Sequence, residues 1–397
     1  MKTAGIVAEF DPFHKGHEYL INELRSQGYT HIVAVMSGNF TQRGQFAIAE
    51  KRIRTRAALL SGVDLVLEIP APFAVGSAQK FALGACTVLN SLGCIDALAF
   101  GCECADIEQL EKAASVLGSS ACSERTADLL GTGISYVSAQ SQAVEELAGS
   151  QTAEIISQPN NILAIEYIKA CKSIGSTMKF IPVARKGAGH DSTDAADGFL
   201  SASAIRQGIM SDDNSVYDYM PEASAEIYRN AVFDRRAPSV QAYADRIVLA
   251  RLRTMTAEQI AQAPDISEGL ENRIYHALKS AASLSELYDL VKSKRYTHSR
   301  IRRIIISLFL GITAEDAKIP VPYIRVLGFD KDGQEILKPA KFVASLPIVI
   351  RPSQIDDLSA DARRIGAIEQ RATDLYNLCT PSVLPCSEQI AEHLVII

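Results

Sequence analysis

Paired cysteines are missing from this chain. Its eight cysteines stand at 86, 94, 102, 104, 122, 171, 379 and 386, without the CxxC pairs of a zinc site or the density of a disulfide scaffold. Free thiols are the expectation, and the tight Cys102-Glu103-Cys104 triplet has no partner pair with which to build a metal site. Also missing is any apolar run long enough to span a bilayer. The opening stretch MKTAGIVAEFDPF is broken by Glu9 and Asp11, unlike a secretory leader, so no membrane association and a cytoplasmic location are expected. Positive charge is not in excess either. With a formal net charge of -6 the chain has no global attraction for a polyanion, and any nucleic acid must be met by a local basic patch. Internal repeats and low-complexity segments are absent.

What remains is the composition of a folded protein: 397 residues, 47% hydrophobic and 22% charged, enough for two domains. Residues 4–10 read as a short buried strand and 17–27 as a helix, with apolar Tyr19, Leu20, Ile21 and Leu24 on its spacing. Strand 31–38, helix 51–62 stopped by Gly62, and strand 63–70 stopped by Pro70 complete a βαβαβ run. Helix 77–92, strand 95–101, a helix near 106–117 and strand 178–185 continue it. The expected fold class is α/β, a Rossmann-like parallel sheet over residues 1–210, followed by a mainly helical domain over 211–397. In that second part YIRVLGF (323–329) and LPIVIRP (346–352) read either as short strands or as buried segments. Ligands of such sheets bind outside the carboxyl ends of the strands, where 11–16, 38–44 and 101–103 would converge.

The most informative stretch is Asp11-Pro12-Phe13-His14-Lys15-Gly16-His17, between the first strand and the first helix. A helix N-terminus offers unpaired N–H groups and partial positive charge to a phosphate, and Gly16 permits close backbone approach. Two histidines there can donate hydrogen bonds to the α-phosphate as charge builds in a displacement, an electrostatic role rather than proton abstraction. His14 and His17 are therefore the candidate catalytic residues. Farther along, in Leu200-Ser201-Ala202-Ser203-Ala204-Ile205-Arg206, the serines suit helix capping and phosphate donation, and Arg206 suits neutralisation of a leaving pyrophosphate.

FDPFHKGH resembles the HxGH signature of the nucleotidyltransferase superfamily, and LSASAIR its second signature, of the form ISSTxIR, departing from it at Ala202 and Leu200. The longer segments SGNFTQRG, KRIRTRAALLSGVDLVLEIP, FGCE, QPNNILAIEYIKA and YIRVLGF resemble the bacterial tRNA(Met) cytidine acetate ligase family. That resemblance implies an enzyme that makes acetyladenylate from ATP and acetate, releasing pyrophosphate. It then passes the acetyl group to N4 of the wobble cytidine of elongator tRNA(Met), giving N4-acetylcytidine. ATP, expected with Mg²⁺, is a co-substrate, and neither a tightly bound prosthetic group nor an obligate protein partner is expected. The resemblance further implies that ATP is held by Val7, Ala8, Glu9, Phe10, Asp11, Pro12, Phe13, Lys15, Gly16 and Leu20, with Gly101 near the adenosine. One of Asn160 and Asn161 would lie in the nucleotide pocket and Arg185 with Lys186 by the phosphates, alongside Ser201, Ser203 and Arg206.

Two basic stretches stand out against the net negative charge. Lys51, Arg52, Arg54 and Arg56 open the second helix and read equally as an RNA contact or a solvated face. Residues 292–303 hold Lys292, Lys294, Arg295, Arg300, Arg302 and Arg303 with no acid, and Tyr296 is placed to stack on an unpaired base, so these seven are the candidate tRNA contacts. The loop 37–44 suits a mobile cover over acetate or the incoming cytidine. A small-molecule adenylyltransferase, an acetate ligase acting on a protein-bound thiol, and a non-catalytic RNA-binding protein are the competing readings. The helical part with its basic patch disfavours the first two, and the intact histidines with Arg206 disfavour the third.

Overall fold

The structure, a computed structural model, describes residues 1–186, 198–267, 269–293, 296–386 and 394–397. Five strands, β1 (Thr3–Ala8), β2 (His31–Ser37), β3 (Leu65–Ile69), β4 (Ala97–Cys102) and β5 (Lys179–Ala184), pair in parallel in the order β5-β4-β1-β2-β3. β2 and β3 are buried along their whole length because helices cover both faces. Alternation divides their side chains: Val33, Val35, Leu65 and Leu67 pack toward the helices Ala78–Ser91 and Pro159–Ser173. Ile32, Ala34, Met36 and Val66 pack toward helices α1 (Lys15–Ser26) and α2 (Lys51–Leu60).

The chain runs outward one way from β1 through β2 to β3, then returns to place β4 and β5 on the other side of β1. The reversal leaves a crevice at the carboxyl ends of β1 and β4, the position at which such sheets bind nucleotides. Between β4 and β5 lie helices that the spacing did not predict, Ser120–Leu130, Tyr136–Ala148 and Ser150–Ser157, the first two capped by the hydroxyls of Ser119 and Ser135.

The sheet does not stop at the division expected near residue 210. YIRVLGF supplies β6 (Ile324–Phe329), which pairs antiparallel with β3 across a bulge at Val66/Leu67, and β7 (Ile348–Val349) and β8 (Val395–Ile396) pair with β6. An apolar strand such as β3 cannot leave its N–H and C=O groups unpaired beside water-excluding helices, so the later chain returns to complete the edge. The helical part has its own core of Val248, Leu252, Leu287, Ile305, Phe309 and Ile365, and Phe40 from the loop after β2 enters it. Phe40 stands 6.3 Å from Phe309 and 6.2 Å from Tyr376, and the Tyr376 hydroxyl donates to the Ala47 carbonyl at 2.8 Å.

A chain ending at residue 210 would therefore keep the expected catalytic part yet expose the β3 edge and lose the partners of Phe40. It is expected to aggregate or to melt without a cooperative transition in calorimetry and size-exclusion chromatography. A monomer with one sharp transition would show that the sheet is self-sufficient.

Candidate active site

The crevice at the strand ends is a partly open cleft lined by Val7 and Ala8 of β1, Phe100 and Gly101 of β4, and Val183 and Ala184 of β5. His14, Gly16, His17 and Leu20 close it from α1, Asn160 from the helix Pro159–Ser173, Arg185 and Lys186 from the chain after β5, and Ser201 from the helix Ala202–Met210. Of the three predicted loops, 11–16 and 101–103 meet here, whereas no residue of 38–44 lines this cleft. The apolar wall was not anticipated: Leu163 and Tyr167 follow Asn160 at helical spacing on one face of their helix, and Tyr19 and Phe199 meet edge to face at 6.1 Å. The 160, 163, 167 spacing was the signal available.

His14 is the N-cap of α1. Its Nδ1 accepts the Gly16 N–H at 2.9 Å, and the His14 N–H donates to Nδ1 of His17 at 3.2 Å, so each imidazole satisfies an orphan backbone donor. Both Nδ1 atoms being acceptors, each neutral ring carries its proton on Nε2. The rings lie 4.0 Å apart, which disfavours a charge on both. Burial, then the fields of Arg185 and Arg206, push His14 from an ordinary 6.5 down to about 3. Burial, His14 and Arg185 likewise push His17 well below 6.5. Gly16 is required on steric grounds, since a Cβ there would sit 2.7 Å from Cε1 of His14.

The rest of the loop is scaffold for these rings. Phe10 is buried at φ +46°, in the left-handed region, with its ring 4.9 Å from Phe13 and its carbonyl accepting the Tyr228 hydroxyl at 3.2 Å. The Phe13 carbonyl accepts the Ser224 hydroxyl at 3.0 Å. Pro12 is buried between Asp11 and Phe13, and Lys15 occupies the first turn of α1 without lining the cleft. The Asp11 carboxylate accepts the Ile48 N–H at 2.7 Å, and the Glu9 carboxylate, its pKa raised by burial, accepts the Gln42 N–H at 2.6 Å. Neither faces the nucleotide cleft.

Arg206, predicted to meet the leaving phosphates, here reaches back to the histidine loop. Its guanidinium donates to the Asp11 carbonyl at 2.9 Å and the Ser203 hydroxyl at 3.2 Å, with the Asp11 carboxylate at 3.4 Å, and it faces a second cleft. Ser203 is thereby its anchor, whereas Ser201 caps its helix by accepting the Ala204 N–H and also lines the nucleotide cleft. The asparagines separate as well. Asn161 is buried and accepts the N–H groups of Glu103 and Cys104 while donating to the Ile155 carbonyl, and Glu103 returns the brace by accepting the Asn161 N–H at 2.8 Å. Asn160 stands on the cleft wall, donating to Glu103 at 2.6 Å and accepting from Arg185 at 3.3 Å. The Lys186 ammonium lies 4.3 Å over the Tyr19 ring.

Only part of the second-helix basic run is a surface. Lys51 is buried against Glu68 at 2.7 Å, and Arg54, fully buried, donates to the carbonyls of Ala49, Glu9 and Gly38, while Arg56 is exposed. The loop 37–44 is likewise packed rather than free: Asn39, Phe40 and Thr41 are buried, and Phe40 bridges Phe46. In the later patch, Lys292 is exposed, Arg300 and Arg302 are partly exposed, and Arg303 is largely enclosed. Tyr296 is corrected as a stacking platform: it is 7% exposed, its hydroxyl donates to the Ser267 carbonyl at 3.1 Å, and the Arg300 guanidinium covers its ring at 5.1 Å. Lys294 and Arg295 lie outside the described residues. Among the described residues no group of three His, Cys, Asp or Glu side chains could hold a metal ion, and no helix is long and apolar enough to cross a membrane.

The family model for HIGH nucleotidyl transferases matches residues 1–389. A Thermoanaerobacter protein named tRNA(Met) cytidine acetate ligase is 38% identical over 388 residues, 95% of each chain. One of the same name from Clostridium kluyveri is 36% identical over 426 residues, covering 100% of this chain and 99% of its own. Among solved structures, apo Thermotoga maritima TmcAL superposes with a TM-score of 0.94 at 31% identity over the whole of both chains. The same protein bound with alpha-thio ATP gives 0.92 at 30% identity, again over the whole of both chains.

Two outcomes follow from the geometry. Asn161→Ala strips the acceptor from two backbone N–H groups and should cost about 1–3 kcal/mol in urea unfolding, while Asn160→Ala should leave stability near wild type and raise the KM for ATP; the reverse ranking would exchange their roles. Because His14 has a folded-state pKa below its ordinary value, the unfolded chain binds more protons between the two. Its contribution to stability is thus complete above about pH 6.5 and lost as pH falls toward about 3. Relative to His14→Asn, the wild type should lose on the order of 1 kcal/mol per pH unit across that window, read by urea unfolding at several pH values. Parallel pH curves for the two proteins would mean that His14 is not held neutral.

Proposed function

The chain belongs to the HIGH nucleotidyl transferase family and, on that premise, we propose that it is an ATP-dependent tRNA(Met) cytidine acetate ligase working through acetyladenylate. One observation carries the chemistry: two neutral imidazoles at the N-terminus of α1, each with Nδ1 tied to the backbone and Nε2–H left as donor, line the crevice between β1 and β4. The triphosphate lies across that N-terminus, with Arg185 beside the phosphates and the adenosine along Gly101 and the Leu163–Tyr167 wall.

An acetate oxygen attacks the α-phosphorus, forming a P–O bond as the bond to the β-phosphate oxygen breaks, and pyrophosphate leaves. Charge on the α-phosphate oxygens rises in that transition state, and fixed Nε2–H donors stabilise it without a proton leaving the enzyme. The N4 amine of the wobble cytidine then attacks the acetyl carbon. The C–O bond to AMP breaks, and the amine gives up one proton. A mixed anhydride must be shielded from water until the amine arrives, and the apolar walls and Tyr19–Phe199 edge supply that shelter. A Mg²⁺ ion accompanying the triphosphate would add positive charge against the phosphate oxygens. Lys292, Arg300 and Arg302 receive RNA phosphates, and the protein works in the cytoplasm, where its tRNA is.

Incubation of tRNA(Met) with ATP and isotopically labelled acetate should yield labelled N4-acetylcytidine by nucleoside mass spectrometry; acetate-dependent pyrophosphate release with unlabelled RNA would keep the activation step and reject the acceptor. His17→Ala should lower acetate-dependent ATP–pyrophosphate exchange by about 10²–10³ and retain tRNA affinity. Arg302→Ala should weaken tRNA binding several-fold and retain exchange. Equal loss of both activities in either variant would refute this division of labour.

A further inference from the structure

The helix Ala202–Met210 has a different cleft on each side. Ser201 at its start lines the nucleotide cleft, whereas Arg206 and Met210 line a second opening between this helix, the loop after β2 and the helical part. We propose that this second cleft seats an unpaired nucleotide of the RNA substrate, its phosphate met by Arg206 and Arg302 and its base set against the partly exposed Phe46. The proposal rests on the ligase reading and adds to it the place where the RNA strand approaches the activated acetyl group.

Four observations support the assignment. The cleft combines two guanidinium groups, the partly exposed Phe46 ring and polar groups, the combination that grips single-stranded RNA by phosphate contact and base stacking. Arg302 has no hydrogen-bond or ion-pair partner among the described residues; its guanidinium lies only over the Tyr288 ring, at 5.5 Å. A strong cation left so placed in a chain of net charge -6 complements an anion from outside. Asp245 uses one carboxylate oxygen to accept from Gln241 at 2.7 Å and the Leu284 N–H at 3.3 Å, which leaves the other to accept from the exocyclic amine of a cytosine or adenine. Finally, Arg206 joins this cleft to the reaction centre. It holds the Asp11 carbonyl within the histidine loop, and its field acts on His14. A phosphate docked on Arg206 lies one side chain from the loop that carries the catalytic imidazoles.

Two walls of the cleft also touch each other. Gly44, at φ +69°, lies flush on the helix His298–Leu310, where a Cβ would come 2.6 Å from the Arg302 carbonyl carbon. The loop after β2 and the arginine helix are therefore packed in direct contact along one side of the cleft.

Met210 is exposed at the rim, and Ser285 is exposed on the opposite wall, so both can be changed without touching a core. The full-length protein is assayed for acetate-dependent ATP–pyrophosphate exchange without RNA and for binding and acetylation of a tRNA(Met) transcript. Met210→Glu should raise the Kd for the transcript about tenfold by placing like charge beside the phosphate, Met210→Lys should not, and Ser285→Trp should slow acetyl transfer by filling the cleft. All three should exchange pyrophosphate as the wild type does and melt at its temperature. Ultraviolet cross-linking of an anticodon stem-loop oligoribonucleotide should map to the peptide containing Phe46. Unchanged binding and transfer in Met210→Glu and Ser285→Trp, or cross-links confined to other peptides, would overturn the cleft while the ligase reading stands. A wild-type protein that activates acetate but neither binds nor acetylates the transcript would remove the tRNA reading and the cleft together.

Discussion

Much of this molecule hangs on the guanidinium of Arg54. It is fully buried, and its N–H groups reach the carbonyls of Ala49, Glu9 and Gly38, so one side chain ties α2 to the loops that follow β1 and β2. Removing a charge from water is costly unless every donor finds an acceptor, and here the acceptors are backbone carbonyls that would otherwise lack partners themselves. The consequence is mutual. The loops cannot drift without stranding a cation, and the cation could not be buried without the loops. The histidine pair inherits its position from this brace, because Glu9 directly precedes the segment that carries it.

The parallel sheet and its crevice were legible because they depend on local signals: apolar runs of strand length, glycine and proline stops, and a histidine-glycine-histidine turn at a helix start. His14, Gly16, His17, Gly101 and Arg185 share one cleft for that reason. What was illegible depends on partners distant in the chain. Nothing local in YIRVLGF says that it will seek the edge of β3, and nothing in KRIRTR distinguishes a solvated basic face from Lys51 paired with Glu68 and Arg54 locked on carbonyls. Tyr296 misled for the same reason. Its flanking charges describe a surface, but its own ring is held inside by Ser267 and Arg300. Arg206 is the subtler case, since the motif marked the residue but not that its guanidinium would brace the histidine loop and border a second cleft.

The asparagine pair shows how neighbouring identical residues divide labour. On a helix, successive side chains point about a quarter-turn or more apart, so Asn160 and Asn161 cannot share an environment. Asn161 closes a reciprocal brace with Glu103 and fixes the end of β4, leaving Asn160 to face the cleft. Structure and chemistry are served by adjacent copies of one residue type, and the buried copy is what makes the exposed one stationary.

The strand β6 also gives the protein a temporal problem. During translation β3 leaves the ribosome early, but the strand that covers its edge comes only after most of the helical part has been made. For most of its synthesis the nascent chain carries an apolar strand with an open side, the state from which intermolecular pairing begins. Vectorial synthesis and native topology are therefore at odds in this molecule, and the open β3 edge is the part of the nascent chain that needs protection until β6 is made.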